Sequence, residues 1–590
     1  MKYYIITKNY MKSFKYIALS LALVGGMTSC SDSFLDHEPD ERTHIDNAEK
    51  VRQLIAGSYP EVSFDWLGEL SSDNLIDNQA PHLPSSPNDK QILSHYNYAS
   101  YAKYDEELYR FEQAKSATYS SSDSPCQVWN GYYNSIAGVN YALQAADSIE
   151  HTSGATSSLN ASRAEGLLVR AWDHFCLVNL FSQAYKDPET SKKELGIPYI
   201  TKPTDVVSPK VERPSVAETY ADIQKDLEAA LPIVSDENLT TAPKYHFNVN
   251  AAHAFAARFY LYTRQWEKVI QQADLVLGTD SASLANMMMK YSVFAGCSSS
   301  SDYAIAWQDP SLNNNLMLTT TYSLMDRRCF GYRYSLAGPN AQQVMMFHSN
   351  SVLYPHWIAN PLMIVSGMTF SNSNHDYGYF SAKVGERFQY TDKLAGTGYV
   401  HTIQRTFTAN ELLLERAEAK VMLGRYDEAF RDMQLYWSIS IHSMEANDYK
   451  AYADNGYCIE LTKANLVKYW GDPANANCFA NWDFTKNISS SYVVPAEAVP
   501  YMNFINDFRR FETSFEGLRF FDLKRWGVEY SHFVGVNSQE IKLTSNDPRR
   551  AIEIPWEVES AGMASSRPVT TPDGAPDLTQ NIKPETLVRK

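Results

Sequence analysis

Residues 505–530, INDFRRFETSFEGLRFFDLKRWGVEY, decide how the rest of this 590-residue chain is read. Arg509, Arg510, Glu512, Glu516, Arg519, Asp522, Lys524 and Arg525 alternate in sign, with Phe508, Phe511, Phe515, Leu518 and Phe521 between them. Side chains three and four positions apart face each other on a helix. The spacing therefore predicts an ion-pair network bordering a packed aromatic face. Charge runs usually cover a solvated face, which argues against an active site built from Glu512 and Glu516. The stretch identifies a fold; binding residues must be sought elsewhere.

Helical patterns precede it. An Asp46-Asn47 cap opens a helix through Val51, Leu54 and Ile55. Residues 128–148 place Trp129, Tyr132, Tyr133, Ile136, Val139 and Leu143 at spacings of three and four. Ser162-Arg-Ala-Glu165 reads as a capping box opening a helix through Leu168, Phe175 and Val178. Further amphipathic helices are expected at 216–231, 251–263 and 266–277. Thr408-Ala-Asn-Glu411 is a second capping box, followed by helices either side of Gly424. LYTRQWEKVI (261–270) and MLGRYDEAF (422–430) share a plan of turn residue, arginine, aromatic, acid and apolar residue. That plan resembles the helical hairpin of tetratricopeptide repeats, in an interrupted array. Two unrelated antiparallel helix pairs would give the same pattern.

Other regions are irregular. Residues 65–78 (DWLGELSSDNLIDN) and a Pro/Ser stretch at 81–88 read as polar loop. Residues 281–406 are rich in Ser, Asn, Gly and Tyr, with weak helical periodicity. Long loops and short strands inserted in the helical scaffold are expected there, and such loops tend to carry binding residues.

Composition narrows the function. Hydrophobic residues make up 44% and charged ones 20%, enough for a large core. Acids outnumber bases 68 to 52, a formal charge of -16 that disfavours nucleic acid and anionic lipid. The 39 tyrosines exceed what packing needs, so some should line a surface. The seven cysteines show no CxxC pair or zinc spacing, and Cys176 reads as a buried thiol without a needed disulfide. No GxSxG, HExxH, GxxxxGK[ST] or EF-hand loop is present, so neither an enzyme, a cofactor nor a metal is expected.

The N-terminus carries an address. From Met11, Lys12 and Lys15 precede a short apolar run and small residues ending at Cys30, which reads as a secretory signal over 1–29. The run is too short to span a bilayer. Cys30, after Gly-Gly-Met-Thr-Ser, resembles the lipid acceptor of a bacterial lipoprotein, although Met27 stands where leucine is usual. Residues 30–43 would then be a lipidated tether, and 44–590 one domain with a loop-rich insertion at about 281–406.

Residues 505–530 closely resemble the C-terminal signature of SusD/RagB-family outer-membrane lipoproteins of Bacteroidetes, through Glu516-Gly-Leu-Arg519 and Asp522-Leu-Lys-Arg525-Trp526-Gly527. Ser33-Phe-Leu-Asp36, Glu69 to Asn74 (ELSSDN), the Trp129, Tyr133, Ile136, Asn140 helix and Arg163-Ala-Glu165 with Arg170-Ala171 match the family in order. Ile554-Pro555 matches only part of a Pro-Ile-Pro element. The resemblance implies a mainly α, SusD-like fold: tetratricopeptide-like hairpins in a superhelical scaffold, with long irregular loops and short strands inserted. It implies an exterior-facing glycan-binding lipoprotein of the outer membrane. Nutrient would pass to a SusC-like TonB-dependent transporter over which the protein sits as a lid. A peptide-binding member of the family and a lipid-anchored glycoside hydrolase are the rival readings. Sugar rings stack on aromatic faces while polar groups bond their hydroxyls. On that basis the candidates are Trp66, Asp73, Asn74, Asn78, Tyr96, Tyr98, Tyr101, Trp307, Tyr332 and Trp357. For any one aromatic, burial in the core is the competing reading.

Overall fold

The computed structural model describes residues 45–80, 99–203, 212–294, 296–329, 333–337, 370–371, 377–379, 381–441, 461–471 and 492–567. The signal, Cys30 and the tether lie outside the described residues. From Asn47 onward the described residues form one compact, mainly helical unit.

Paired helices build the scaffold. Ser124 caps the Pro125–Ser153 helix by accepting the Gln127 N–H at 3.1 Å, with proline in the first turn. The chain then doubles back into the Ser157–Phe181 helix, which it packs against. This helix starts earlier than the sequence suggested. Thr156 is its cap, and Ser162 lies within it. The expected capping glutamate, Glu165, instead accepts hydrogen bonds from Tyr59 Oη and pairs with His246 Nδ1 at 2.7 Å. Tertiary partners outcompete the local cap. The Val216–Ala230 helix does carry its capping box, from Ser215 to Glu218.

Two further pairs repeat one turn. Val249–Tyr262 leads into Trp266–Leu277, and Ala409–Met422 into Tyr426–Ile441. In the first, the Gln265 N–H donates to Tyr260 O at 2.9 Å; in the second, the Arg425 N–H donates to Lys420 O at 2.8 Å. Arg264 (φ 61°) and Gly424 (φ 72°) hold the same left-handed position. The equivalence therefore pairs Arg264 with Gly424, one position away from the match of arginines that the sequence suggested. Backbone geometry sets the repeat, and the arginines are not its equivalent members.

Strands fill part of the mid-chain region. β1 (Ile76–Asp77), β3 (Tyr334–Ala337), β5 (Tyr377–Tyr379) and β4 (Phe370–Ser371) lie in that spatial order in one sheet. β2 (Asn315–Thr321), β7 (Thr397–Thr408) and β6 (Glu386–Asp392) make a second, antiparallel throughout. β8 (Tyr530–Val534) and β9 (Gln539–Leu543) form a hairpin after the signature. β7 runs directly into the Ala409–Met422 helix, where Thr408 accepts the Glu411 N–H at 3.2 Å. Helices at Ser281–Met287 and Ser300–Trp307 also occupy this region, whose described residues are more regular than its composition suggested.

Residues 65–78 are likewise more ordered than the loop expected. Asp65–Ser71 is a helix that packs on the Leu518–Trp526 helix of the C-terminal signature, with Trp66, Leu67 and Leu70 buried. Its Gly68 lies flush on Gly517: a Cβ added there would sit 2.1 Å from Gly517 O. Gly517 (φ 71°) in turn occupies a conformation that side chains rarely adopt. Polar letters in the sequence concealed a close backbone contact.

Candidate functional site

The signature forms the Val499–Glu512 and Leu518–Trp526 helices, and its charges are almost wholly buried. Arg509 Nε lies 2.8 Å from Asp522 Oδ2, and Arg525 Nε 2.7 Å from Asp522 Oδ1. Arg525 also forks onto Glu418 at 2.5 and 2.7 Å. The two guanidinium groups hold the Asp522 carboxyl below its usual range even though burial opposes this. Lys524 is buried and donates to the carbonyls of Asn179 and Ser182, with burial pushing its amine well down. The ion-pair network expected from the spacing exists, but inside the body. It is structural.

The same network takes in several residues offered as ligand contacts. Asp73 receives Arg519 at 2.7 and 2.9 Å. Asn74 accepts from Arg510 Nε at 2.8 Å and donates to Glu69 Oε2 at 2.8 Å. Trp66 is 1% exposed, with its indole N–H on Asp105 Oδ1 at 2.8 Å. Trp307 is 2% exposed, under the Arg405 guanidinium at 4.7 Å and the Lys383 amine at 5.2 Å. Asn78 is nearly buried and donates to Ser335 Oγ at 2.8 Å. Trp66, Asn74 and Trp307 thus pack the body. Tyr101 is half-buried, with Arg328 4.7 Å over its ring. Tyr96, Tyr98, Tyr332 and Trp357 lie outside the described residues.

A cavity of about 40 Å³ lies where the start of the Asp65–Ser71 helix, β2, β7 and Glu516 meet. Its polar lining includes Asp65, Arg258, Lys383, Gln404, Arg405 and Glu516. Burial, and the Glu516 charge beside it, raise the Asp65 carboxyl well above its usual range. The space suits about three waters, far short of a sugar ring.

Among the described residues, an exposed pair of aromatic rings in contact lies on the β6–β7 hairpin. Phe388 (48% exposed) and Tyr390 (54%) share one face of β6, their rings 4.8 Å apart and 74° to each other. Tyr390 faces Gly398 across the ladder, and Phe388 faces Val400. The Phe388 ring leans over Gly398, where an added Cβ would sit 2.8 Å from Cε1. Tyr322 and Tyr399 form a second ring pair at 5.7 Å. The Tyr399 position pairs with Gln389, so it faces the opposite side of the sheet. Asp392 ties the turn by accepting the Leu394 and Ala395 N–H groups. Sequence reasoning passed over these rings. The signal was there: Phe388-Gln-Tyr390, a Gly-containing turn, then Tyr399, an alternating pattern with hairpin punctuation.

Among the described residues no group of His, Cys, Asp and Glu is placed to hold a metal ion. No described helix is long and apolar enough to cross a membrane.

Comparison with known proteins places this fold. Residues 33–261 match a SusD-like family described as "starch-binding associating with outer membrane". No curated protein matches the sequence. A structure named "Putative sugar binding protein", from Bacteroides vulgatus, aligns over 90% of this chain and all of its own, at 16% identity and a TM-score of 0.57. A SusD superfamily protein from Bacteroides thetaiotaomicron covers 89% of this chain and all of its own, at 18% identity and a TM-score of 0.52. One from Bacteroides fragilis covers 88% of this chain and 99% of its own, at 14% identity and a TM-score of 0.53. At such identities the likeness is one of fold. The chain thus has the fold of SusD superfamily structures over most of its length, and residues 33–261 match the SusD-like family in sequence.

Proposed function

We propose that this protein is an exterior-facing lipoprotein of the outer membrane that captures oligosaccharide and hands it to a SusC-like TonB-dependent transporter. Lipid on Cys30 would anchor it, with residues 30–43 as the tether. The observation that carries the reading is a family match described as starch-binding and outer-membrane-associated, on a body that offers aromatic rings to solvent. Stacking against C–H faces of sugars is the natural use of exposed rings on a hydrated surface. The reading involves binding without chemistry.

Tyr101 stays in this reading as a sugar contact, and Tyr96, Tyr98, Tyr332 and Trp357 remain proposed contacts, whereas Asp73 belongs to the joint with Arg519. Trp66, Asn74 and Trp307 would act by holding the fold.

A glycan array on the purified mature chain, followed by a reducing-sugar assay on the hits, tests it. Glycan binding without release of reducing ends supports the proposal, and turnover would replace it with hydrolysis. Binding of peptides and of no glycan would favour the peptide-binding alternative. Purification from solubilised outer membrane should bring a barrel protein with it.

A further inference from the structure

The β6–β7 hairpin carries a more specific inference, which rests on the glycan-binding reading. We infer that the Phe388–Tyr390 face is a stacking platform for one or two sugar units of a neutral glycan. The two rings meet at 74°, forming an open corner with one apolar wall on each side. Gly398, across from Tyr390, carries no side chain and so lets the Phe388 ring lie over it beside Tyr390.

Polar groups lie at both ends of the platform. Two positions back on the same face, Glu386 receives the half-exposed Arg327 at 2.6 and 2.8 Å. That pair offers a guanidinium donor and a carboxylate acceptor beside the rings, which suits sugar hydroxyls. Two positions forward, past a register shift, Asp392 is committed to the turn. The arrangement of wall, wall and ion pair fits an alternation of C–H face and hydroxyl edge.

Charge selects among glycans. Arg327 compensates Glu386, which leaves Asp392 at the other end of the platform and a chain with a formal charge of -16. A uronic or sulfated glycan would meet repulsion there, and a neutral one would not. Size argues against a protein occupant, because a specific protein interface engages about 20 residues or more a side. Two rings and an ion pair match a sugar.

The test compares the wild type with Tyr390→Ala, Tyr390→Phe and Gln389→Ala by titration calorimetry on neutral and uronic-acid glycans from the array. Tyr390→Ala should weaken binding of the neutral glycan about tenfold. Tyr390→Phe should restore most of that loss because it keeps the ring. Gln389→Ala, on the other face of the sheet, should bind as the wild type does. A wild type that binds glycan while Tyr390→Ala binds equally well overturns this inference and leaves the proposed function standing. Preference for the acidic glycan would also overturn it. A wild type that binds no glycan removes both.

Discussion

Arg519 forks onto Asp73 across 446 positions of sequence, with Nε at 2.7 Å from Oδ1 and Nη2 at 2.9 Å from Oδ2. That contact joins the ELSSDN segment to the C-terminal signature. Arg510 reinforces it, donating to Asp73 O and Asn74 Oδ1 at 2.8 Å each. Two segments that resemble family motifs are thus two halves of one buried polar joint. Replacing Arg519 with Met would take the bidentate partner from the Asp73 carboxylate, leaving Arg510 at 3.8 Å, and should cost about 3 kcal/mol. Urea unfolding of Arg519→Met, with an unchanged slope and a lower midpoint, checks this; a midpoint equal to the wild type's refutes it.

The pH dependence of stability has an unusual contributor. Burial raises the Glu69 carboxyl to about 7, against the pull of Asn74 and the Gly517 N–H. Burial likewise raises Asp507 to about 7, beneath the Trp470 indole N–H. A carboxyl raised in the folded state binds more protons there than in the unfolded chain. Its contribution is therefore complete below about pH 4 and is lost as pH climbs towards 7. Asp73 acts oppositely: burial opposes ionisation, but Arg510 and Arg519 win and hold its carboxyl well down, so its contribution disappears only in strong acid. Glu69→Gln should flatten the fall between pH 5 and 7 by at most about 1.4 kcal/mol per pH unit. Melting curves across that range decide the matter, and parallel curves for both proteins would contradict it.

Glycine matters for two different reasons. A Cβ on Gly424 would meet open space, so Gly424→Ala tests only its left-handed backbone and should cost about 1 kcal/mol. A Cβ on Gly68 would collide with the backbone of Gly517, so Gly68→Ala should cost about 3 kcal/mol by displacing a helix from the signature. Thermal denaturation of the pair gives the ranking, and equal losses would contradict the close approach.

Tryptophan and tyrosine substitutions should separate body from surface. Trp66→Ala and Trp307→Ala each open a cavity and remove a fully packed ring, a loss of about 3–5 kcal/mol. Tyr390→Ala, on an exposed strand face, should shift stability by no more than about 0.5 kcal/mol. Urea midpoints measured beside glycan affinity distinguish the two roles. A Trp66→Ala protein of native stability with lost affinity would return that residue to the binding surface.

Local sequence was enough for the periodic parts: the amphipathic helices, the Thr408 cap, the hairpin plan around Gly424 and the family resemblance of residues 505–530. Local spacing and capping chemistry suffice for these, since they depend on neighbours a few positions away. Burial of charge was decided only in three dimensions. Arg519, Asp522, Lys524 and Arg525 look like a solvated run until Asp73, Glu418 and the carbonyls of Asn179 and Ser182 arrive from distant segments to satisfy them. The same holds for Trp66 and Trp307, which composition offered to ligand and packing claimed. The exposed rings of Phe388 and Tyr390 were equally undecided in the sequence. Alternation gives a strand two faces, and only the sheet and its neighbours determine which face meets water.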